Sequence, residues 1–123
     1  MRIRSHKDLD VYKMAFESAM KIFELSKLFP KEETYSPTDQ IRKSSRLVYA
    51  NLAEAFRKRR YPKAFISKLS YSKGEAVETQ TWLDFAFECE YISAEENKKL
   101  NETYEHIIGK IVNMSLNPEK WTW

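Results

Sequence analysis

The residues best suited to chemistry in this sequence are lysines and arginines concentrated between Gln40 and Lys73. This segment holds ten Lys or Arg and a single acidic residue, Glu54, in a chain of 123 residues whose formal net charge is only +3. Arginine can bind two phosphate oxygens with its planar guanidinium, and lysine supplies a compact positive charge. Two interpretations remain open at this point, an ordinary solvated helix or a surface that binds polyanions.

The spacing of these cations places most of them on one side of a predicted helix. At about 100° per residue, an apolar face lies opposite the cations. That apolar face consists of Ile41, Ser45, Val48, Leu52, Ala55 and Phe56. We predict that the cations on the back of the helix and at its end bind nucleic-acid backbone. They are Arg42, Lys43, Arg46, Arg57, Lys58, Arg59, Arg60 and Lys63.

No constellation in the sequence is suited to catalysis or to metal binding. The two histidines, His6 and His106, lack the Glu-x-x-His spacing of di-iron bundles, and one cysteine, Cys89, is too few for a structural zinc site. Cys89 has no visible base, and Glu75 and Glu78 have the spacing of ordinary solvated glutamates. A glycine-rich phosphate loop is also missing. We therefore expect no catalytic residue, metal, cofactor or small-molecule substrate.

Asn51 and Glu54 flank the apolar face of the same predicted helix. The favoured interpretation is structural, with hydrogen bonds that cap or bridge helices. The alternative is that the two side chains shape a binding surface.

Four amphipathic segments must position these residues, and each has recognisable end signals. Ser36-Pro37 and Tyr61-Pro62 place proline at the first helical position, and Ser93 and Glu96 have capping-box spacing. The predicted helices run from Asp8 to about Leu28, from Pro37 to about Arg59, from Pro62 to about Glu90, and from Ser93 to Asn117. In the third, Gly74 indicates a kink, a close packing contact or a weak position.

The periodicity of the helices also predicts the core. The predicted apolar stripes are Tyr12, Ala15, Phe16, Ala19, Ile22 and Phe23 in the first helix, Phe65, Leu69, Ala76, Gln80, Leu83 and Phe87 in the third, and Leu100, Tyr104, Ile107, Ile108, Ile111 and Val112 in the fourth. In the second helix, Ser44, Ser45 and Ala53 are small, so a neighbouring helix could approach closely there.

Short connections between amphipathic helices predict an all-α, antiparallel up-down-up-down four-helix bundle. The length of 123 residues fits a single domain, residues 1–123. Two Gly and four Pro are too few for the many turns of sandwiches and barrels. With no apolar run long enough to span a bilayer and no apolar secretory segment, we expect a cytoplasmic protein without membrane contact.

The third predicted helix has a second apolar stripe opposite its core face. The stripe contains Tyr71, Trp82, Phe85 and Cys89, which a monomer would expose to water. A large exposed apolar surface indicates that another molecule covers it. We therefore predict self-association through Tyr71, Trp82 and Phe85. At the carboxyl end, we expect at least one of the tail tryptophans, Trp121 and Trp123, to dock on the bundle.

Several motifs together resemble a known family. Phe29-Pro30 with Glu33, then Gln40-Ile41-Arg42 and Asn51-Leu52-Ala53-Glu54, resemble the four-helix-bundle proteins encoded in intervening sequences of bacterial 23S ribosomal RNA genes. The second half is similar to one branch of that family in the residues Glu78, Thr79, Gln80, Trp82, Leu83, Phe85 and Ala86. One departure is Ala55, where the family often has glycine.

The resemblance implies a bacterial bundle that assembles as a ring, commonly a pentamer, with no known enzymatic activity. A similar bundle is the accessory protein of diversity-generating retroelements, which engages a reverse transcriptase and nucleic acid through basic surfaces. Two functions remain open for this chain. It is either a homo-oligomeric module that binds RNA or DNA backbone or a scaffold whose basic face binds an acidic protein.

Overall fold

A computed structural model describes residues 9–121, and these residues form a four-helix bundle. The helices are α1 (Asp10–Ser26), α2 (Asp39–Arg57), α3 (Pro62–Glu88) and α4 (Ala94–Leu116). The predicted all-α fold is confirmed, and residues 9–121 contain no β-strand. The predicted cap at Asp8, the residue His6 and the docking of Trp123 lie outside the described residues.

Cross-helix contacts establish the antiparallel order of α2 and α3. Near the end of α2, Glu54 pairs with Lys68 of α3 at 2.7 Å. Near the start of α2, Ser44 accepts a hydrogen bond from Thr79 at 2.8 Å. The contact near the start of α3 is made with the end of α2, and the contact farther along α3 is made with the start of α2. The two helices therefore run in opposite directions. The small side chain of Ser44 permits this close approach, as the sequence predicts.

The pair α1 and α2 is antiparallel for the same reason. Ser26 at the end of α1 contacts Arg42 near the start of α2, whereas Phe16 lies beside Tyr49. In the closed bundle, α1 packs against α2 and α4, and α3 packs against the same two helices. The predicted up-down-up-down arrangement is confirmed.

Most of the predicted helix ends are correct, and one is wrong. α3 begins at Pro62, and the predicted capping box of α4 forms, with Ser93 N–H donating to Glu96 at 2.8 Å and Glu96 N–H donating to Ser93 at 3.0 Å. α2, however, begins at Asp39 rather than at Pro37. Ser36 has non-helical backbone angles, so the segment Thr34–Thr38 forms a separate π-type turn and Ser36 does not cap α2.

The turn between α3 and α4 contains the only positive φ among residues 9–121, at Glu90 (φ 63°). The Tyr91 N–H donates to the Ala86 carbonyl at 2.8 Å, and the Glu90 N–H donates to the Phe87 carbonyl at 2.9 Å. This is the Schellman arrangement that ends many helices, usually with glycine at the left-handed position. Glu90 therefore holds a conformation that its side chain disfavours.

The core lies along the bundle axis and is largely the predicted one. Its largest fully buried apolar side chains are Ile22, Ile41, Val48, Phe65, Leu69, Leu83, Tyr104, Ile107 and Ile111. Trp121 packs against this core, so the predicted docking of a tail tryptophan is confirmed. Phe16, predicted to be buried, is 49% exposed because it lies at the α1–α2 edge. Gly74 makes no close packing contact, since a Cβ there would meet no atom within 4 Å.

Candidate nucleic-acid interface

The structure divides the eight predicted cations into two groups. Arg42, Lys43 and Arg46 lie in the first turns of α2 and are called the α2 cluster. Arg57, Lys58, Arg59, Arg60 and Lys63, called the corner cluster, lie at the end of α2 and the start of α3. With a rise of 1.5 Å per residue, the two clusters are about 20 Å apart along the helix. They are therefore two separate basic surfaces.

The α2 cluster is fixed to the end of α1 by Arg42. The Nε–H of Arg42 donates to Ser26 Oγ at 2.7 Å, and this hydroxyl donates to the Phe23 carbonyl at 2.8 Å. The guanidinium carbon of Arg42 also lies 4.9 Å from the centroid of the Phe23 ring, and that of Arg46 lies 5.5 Å from it. Two guanidinium groups are thus gathered at one aromatic side chain.

A third cation and a shallow depression complete this surface. Lys27 Nζ lies 4.8 Å from the Phe23 centroid and pairs with Glu24 at 3.3 Å. The depression, of about 430 Å³, is lined by Asp39, Arg42, Lys43, Arg46 and Leu47.

Sequence reasoning missed Ser26, Phe23 and Lys27 as part of this surface. Phe23 was assigned to the buried stripe of α1, yet it is only half-buried and meets cations at its open side. The i, i+4 spacing of Phe23 and Lys27 was the one available signal.

The corner cluster contains one residue that departs from the predicted exposed position. Arg59 is half-buried, with its guanidinium carbon 3.7 Å from the Phe56 ring centroid and Nη1 donating to the Phe56 carbonyl at 3.1 Å. Burial lowers the pKa of Arg59, although an arginine remains protonated at neutral pH. Arg59 therefore covers part of the core, whereas Arg57, Lys58, Arg60 and Lys63 are exposed.

The remaining predicted cations have no carboxylate at ion-pairing distance among residues 9–121. The ion pairs in this part of the chain join Lys27 to Glu24, Lys68 to Glu54 and Lys99 to Glu95. None of them uses Arg42, Lys43, Arg46, Arg57, Lys58, Arg60 or Lys63. No ion pair within residues 9–121 therefore neutralises these seven positive charges, and they are grouped in the two clusters rather than spread over the bundle.

Glu54 has the bridging role favoured from the sequence, whereas the hydrogen bond of Asn51 neither caps a helix nor bridges two helices. Asn51 Nδ2 donates to the Leu47 carbonyl at 2.9 Å within α2, and Glu54 bridges to Lys68 of α3. The pKa of Glu54 is lowered mainly by the hydrogen bond from Lys68 and, to a smaller extent, by the positive charge of Lys68.

Glu75 of α3 lies close enough to the α2 cluster to interact with the charge of Lys43. Burial and the neighbouring charge of Glu78 raise the pKa of Glu75, while the charge of Lys43 opposes this rise. Lys43 therefore lies within the field of a carboxylate, although at more than ion-pairing distance.

Sequence and structure comparisons agree on the family. The model of the 23S rRNA-intervening sequence protein family matches residues 7–113. This chain belongs to that family. Its bundle is similar to the crystal structure of a protein of unknown function from the S23 ribosomal protein family of Bacteroides thetaiotaomicron VPI-5482, with a TM-score of 0.77 and 28% identity over 85% of this chain and 94% of that one. No curated protein matches this chain in sequence.

In this member of the 23S rRNA-intervening sequence protein family, the predicted aromatic stripe lies on the outer side of α3. Tyr71 is 62% and Phe85 is 54% exposed. Trp82 is half-buried, with its ring 5.7 Å from that of Phe85 and its Nε1 donating to Glu78 at 3.4 Å. These rings present an open apolar surface beside the helix that carries the basic clusters.

Metal-binding clusters and membrane-spanning helices are both absent from residues 9–121 of this family member. No group of three or more His, Cys, Asp or Glu side chains in that range is arranged to hold a metal ion. No helix there is both long and apolar enough to cross a membrane.

Proposed function

We propose that this protein is a non-enzymatic module that binds nucleic-acid backbone, RNA in particular, through the α2 cluster and the corner cluster. The observation that carries the proposal is the grouping of seven cations, none with a carboxylate partner among the described residues, into two clusters at the start of α2 and at the α2–α3 corner. Cations of this kind bind phosphates and release the counterions condensed on the nucleic acid. Contacts with phosphates position a protein without reading bases, so binding should be largely independent of sequence.

We further propose that the protein acts as a homo-oligomer, with Tyr71, Trp82 and Phe85 at the subunit contact. The family resemblance implies a pentamer. Burying one large aromatic side chain contributes about 1.5–3 kcal/mol, and symmetry repeats the gain at every interface. A cyclic oligomer would also carry one copy of both basic clusters on every subunit, so that weak phosphate contacts combine into useful avidity.

The test is a salt titration of binding to fluorescein-labelled single-stranded RNA. The logarithm of affinity should fall with the logarithm of salt concentration with a slope of about −0.7 for each phosphate neutralised. Combined replacement of Arg57, Arg60 and Lys63 by alanine should weaken binding and flatten the slope. Arg59 stays in place because it covers Phe56, and its loss would confuse binding with stability.

The matched control removes three exposed lysines elsewhere, Lys13, Lys98 and Lys110. It lowers the net charge equally and should keep most of the slope. Equal flattening in both variants would mean that total charge, and not the corner cluster, governs binding. If the intact protein binds neither RNA nor DNA at low salt, the nucleic-acid function is rejected. A scaffold that binds an acidic protein would then be the remaining reading.

A further inference from the structure

We propose that Arg42 and Arg46 form a preformed site for one phosphate group at the α1–α2 edge, in which Ser26 and Phe23 are positioning residues. The inference deepens the proposed function, on which it rests for its biological ligand, by naming one discrete phosphate site within the basic surface. It differs from general charge attraction because it requires a particular geometry of the guanidinium groups.

The first support is the way in which Arg42 is held. Its Nε–H donates to Ser26 Oγ at 2.7 Å, so this hydrogen bond occupies only the Nε donor of the guanidinium. The four remaining N–H donors are on the two terminal nitrogens, the groups that form a fork for phosphate oxygens. Ser26 is itself almost completely buried and is fixed by its bond to the Phe23 carbonyl at 2.8 Å. The arginine is therefore ordered before any ligand arrives, which reduces the entropy lost on binding.

The second support is the crowding of positive charge around Phe23. The guanidinium carbons of Arg42 and Arg46 lie 4.9 and 5.5 Å from the centroid of this ring, and Lys27 Nζ, which pairs with Glu24, lies 4.8 Å from it. The ring attracts each cation, but the cations repel one another. An anion between the two guanidinium groups would remove this repulsion.

The shape and charge of the depression beside Arg42 and Arg46 indicate which class of ligand would bind there. Arg42 and Arg46 line the same depression together with Lys43, and its one carboxylate is that of Asp39. Two guanidinium groups on one helix face, four residues apart, suit an anion with several oxygens on one centre. A phosphate group meets this requirement, whether it is free or part of a nucleic-acid strand. In the corner cluster, by contrast, the guanidinium of Arg59 already donates to the Phe56 carbonyl.

The test uses substitutions that leave the net charge unchanged. Ser26→Ala removes the anchor of Arg42 and leaves every cation in place, and Arg42→Lys keeps the charge but loses the fork. Matched controls are Ser115→Ala, a hydroxyl bonded only to its own helix at Ile111, and Arg57→Lys, an exposed arginine. Inorganic phosphate is titrated at constant ionic strength against chloride, and the Nε–Hε NMR signal of each arginine is followed. Thermal unfolding checks that each variant is folded.

The wild-type protein should show a saturable shift of the Arg42 signal with phosphate and not with chloride. Phosphate affinity should fall about tenfold in Arg42→Lys and by a smaller factor in Ser26→Ala, since a hydrogen bond to a charged group is lost or misplaced. Both controls should bind as the wild type does. Wild-type phosphate affinity in the two test variants would overturn the site.

The RNA salt titration separates this inference from the proposed function. Ser26→Ala should weaken RNA binding with an unchanged salt slope, because the number of cations is unchanged. RNA binding that is intact in both test variants would reject the site and leave the function standing. Saturable phosphate binding in a protein that binds no RNA or DNA would support the site and reject the function.

Discussion

The hydroxyl of Tyr104 gives the sharpest test of the core. Tyr104 lies in α4 with 0% of its surface exposed, and its OH has no hydrogen-bond partner among residues 9–121. Burial raises the pKa of this phenol, so the group remains neutral. A buried polar group without a partner costs about 1–3 kcal/mol of stability.

Tyr104→Phe removes this oxygen and keeps the ring that packs in the core. The penalty disappears, whereas the void left by one oxygen is small, so we expect the free energy of unfolding to rise by about 1–2 kcal/mol. For a chain of 123 residues this corresponds to a melting temperature higher by about 3–8 °C. Tyr71→Phe is the control, because its OH is on an exposed side chain and its loss should change stability little.

The assay is urea unfolding followed by far-ultraviolet circular dichroism, supported by thermal melts. Protein concentration must be the same for both variants, because any self-association makes apparent stability depend on concentration. A loss of 1 kcal/mol or more in Tyr104→Phe would refute the reasoning. It would mean that the hydroxyl has a buried partner, such as an internal water, in the folded protein.

Three further predictions concern the α3–α4 turn, a carboxylate and the subunit contact. Glu90→Gly should raise the free energy of unfolding by about 1 kcal/mol, because glycine accepts the positive φ without strain; an equal gain from Glu90→Ala in urea melts would contradict this explanation. Glu75→Gln should stabilise the protein at pH 7. The pKa of Glu75 is higher in the folded state than in the unfolded state, so at a pH above both values the charged carboxylate destabilises the folded state, and glutamine removes that charge. The gain should vanish below pH 4.5, where the carboxyl is protonated in both states, and a gain that persisted there would indicate a different cause. Trp82→Glu should dissociate the proposed oligomer in light scattering, and a wild-type mass of 14.7 kDa at micromolar concentration would reject self-association itself.

Features that depend only on residues adjacent in the sequence were predictable. The capping box at Ser93 and the helix start at Pro62 follow from local backbone chemistry, and both form as predicted. The periodicity of each helix also identified most of the core, since apolar positions three and four apart must share a face. The early start predicted for α2 failed because the unusual backbone at Ser36 depends on the whole loop rather than on the cap motif.

Contacts between helices could not be predicted from the periodicity of each single helix. Periodicity assigned Arg59 to the surface, but the side chain folds back over Phe56. It also assigned Phe23 to the core, although the ring is shared between the core and two arginines of α2. The bond between Ser26 and Arg42 joins residues 16 positions apart, and only the packing of α1 on α2 brings them together.

The position of the α2 cluster conflicts with the electrostatics of its own helix. Arg42, in the first turn of α2, opposes the helix dipole, and Arg42 and Arg46, four residues apart, repel each other by a few tenths of a kcal/mol. The carboxyl end of α1 offsets this cost for Arg42, which bonds to Ser26 there, and Glu75 offsets part of it for Lys43. Arg46 has no such compensation among the described residues beyond the ring of Phe23. A bound phosphate would neutralise Arg46, so the residue that folding explains least is the one that anion binding explains best.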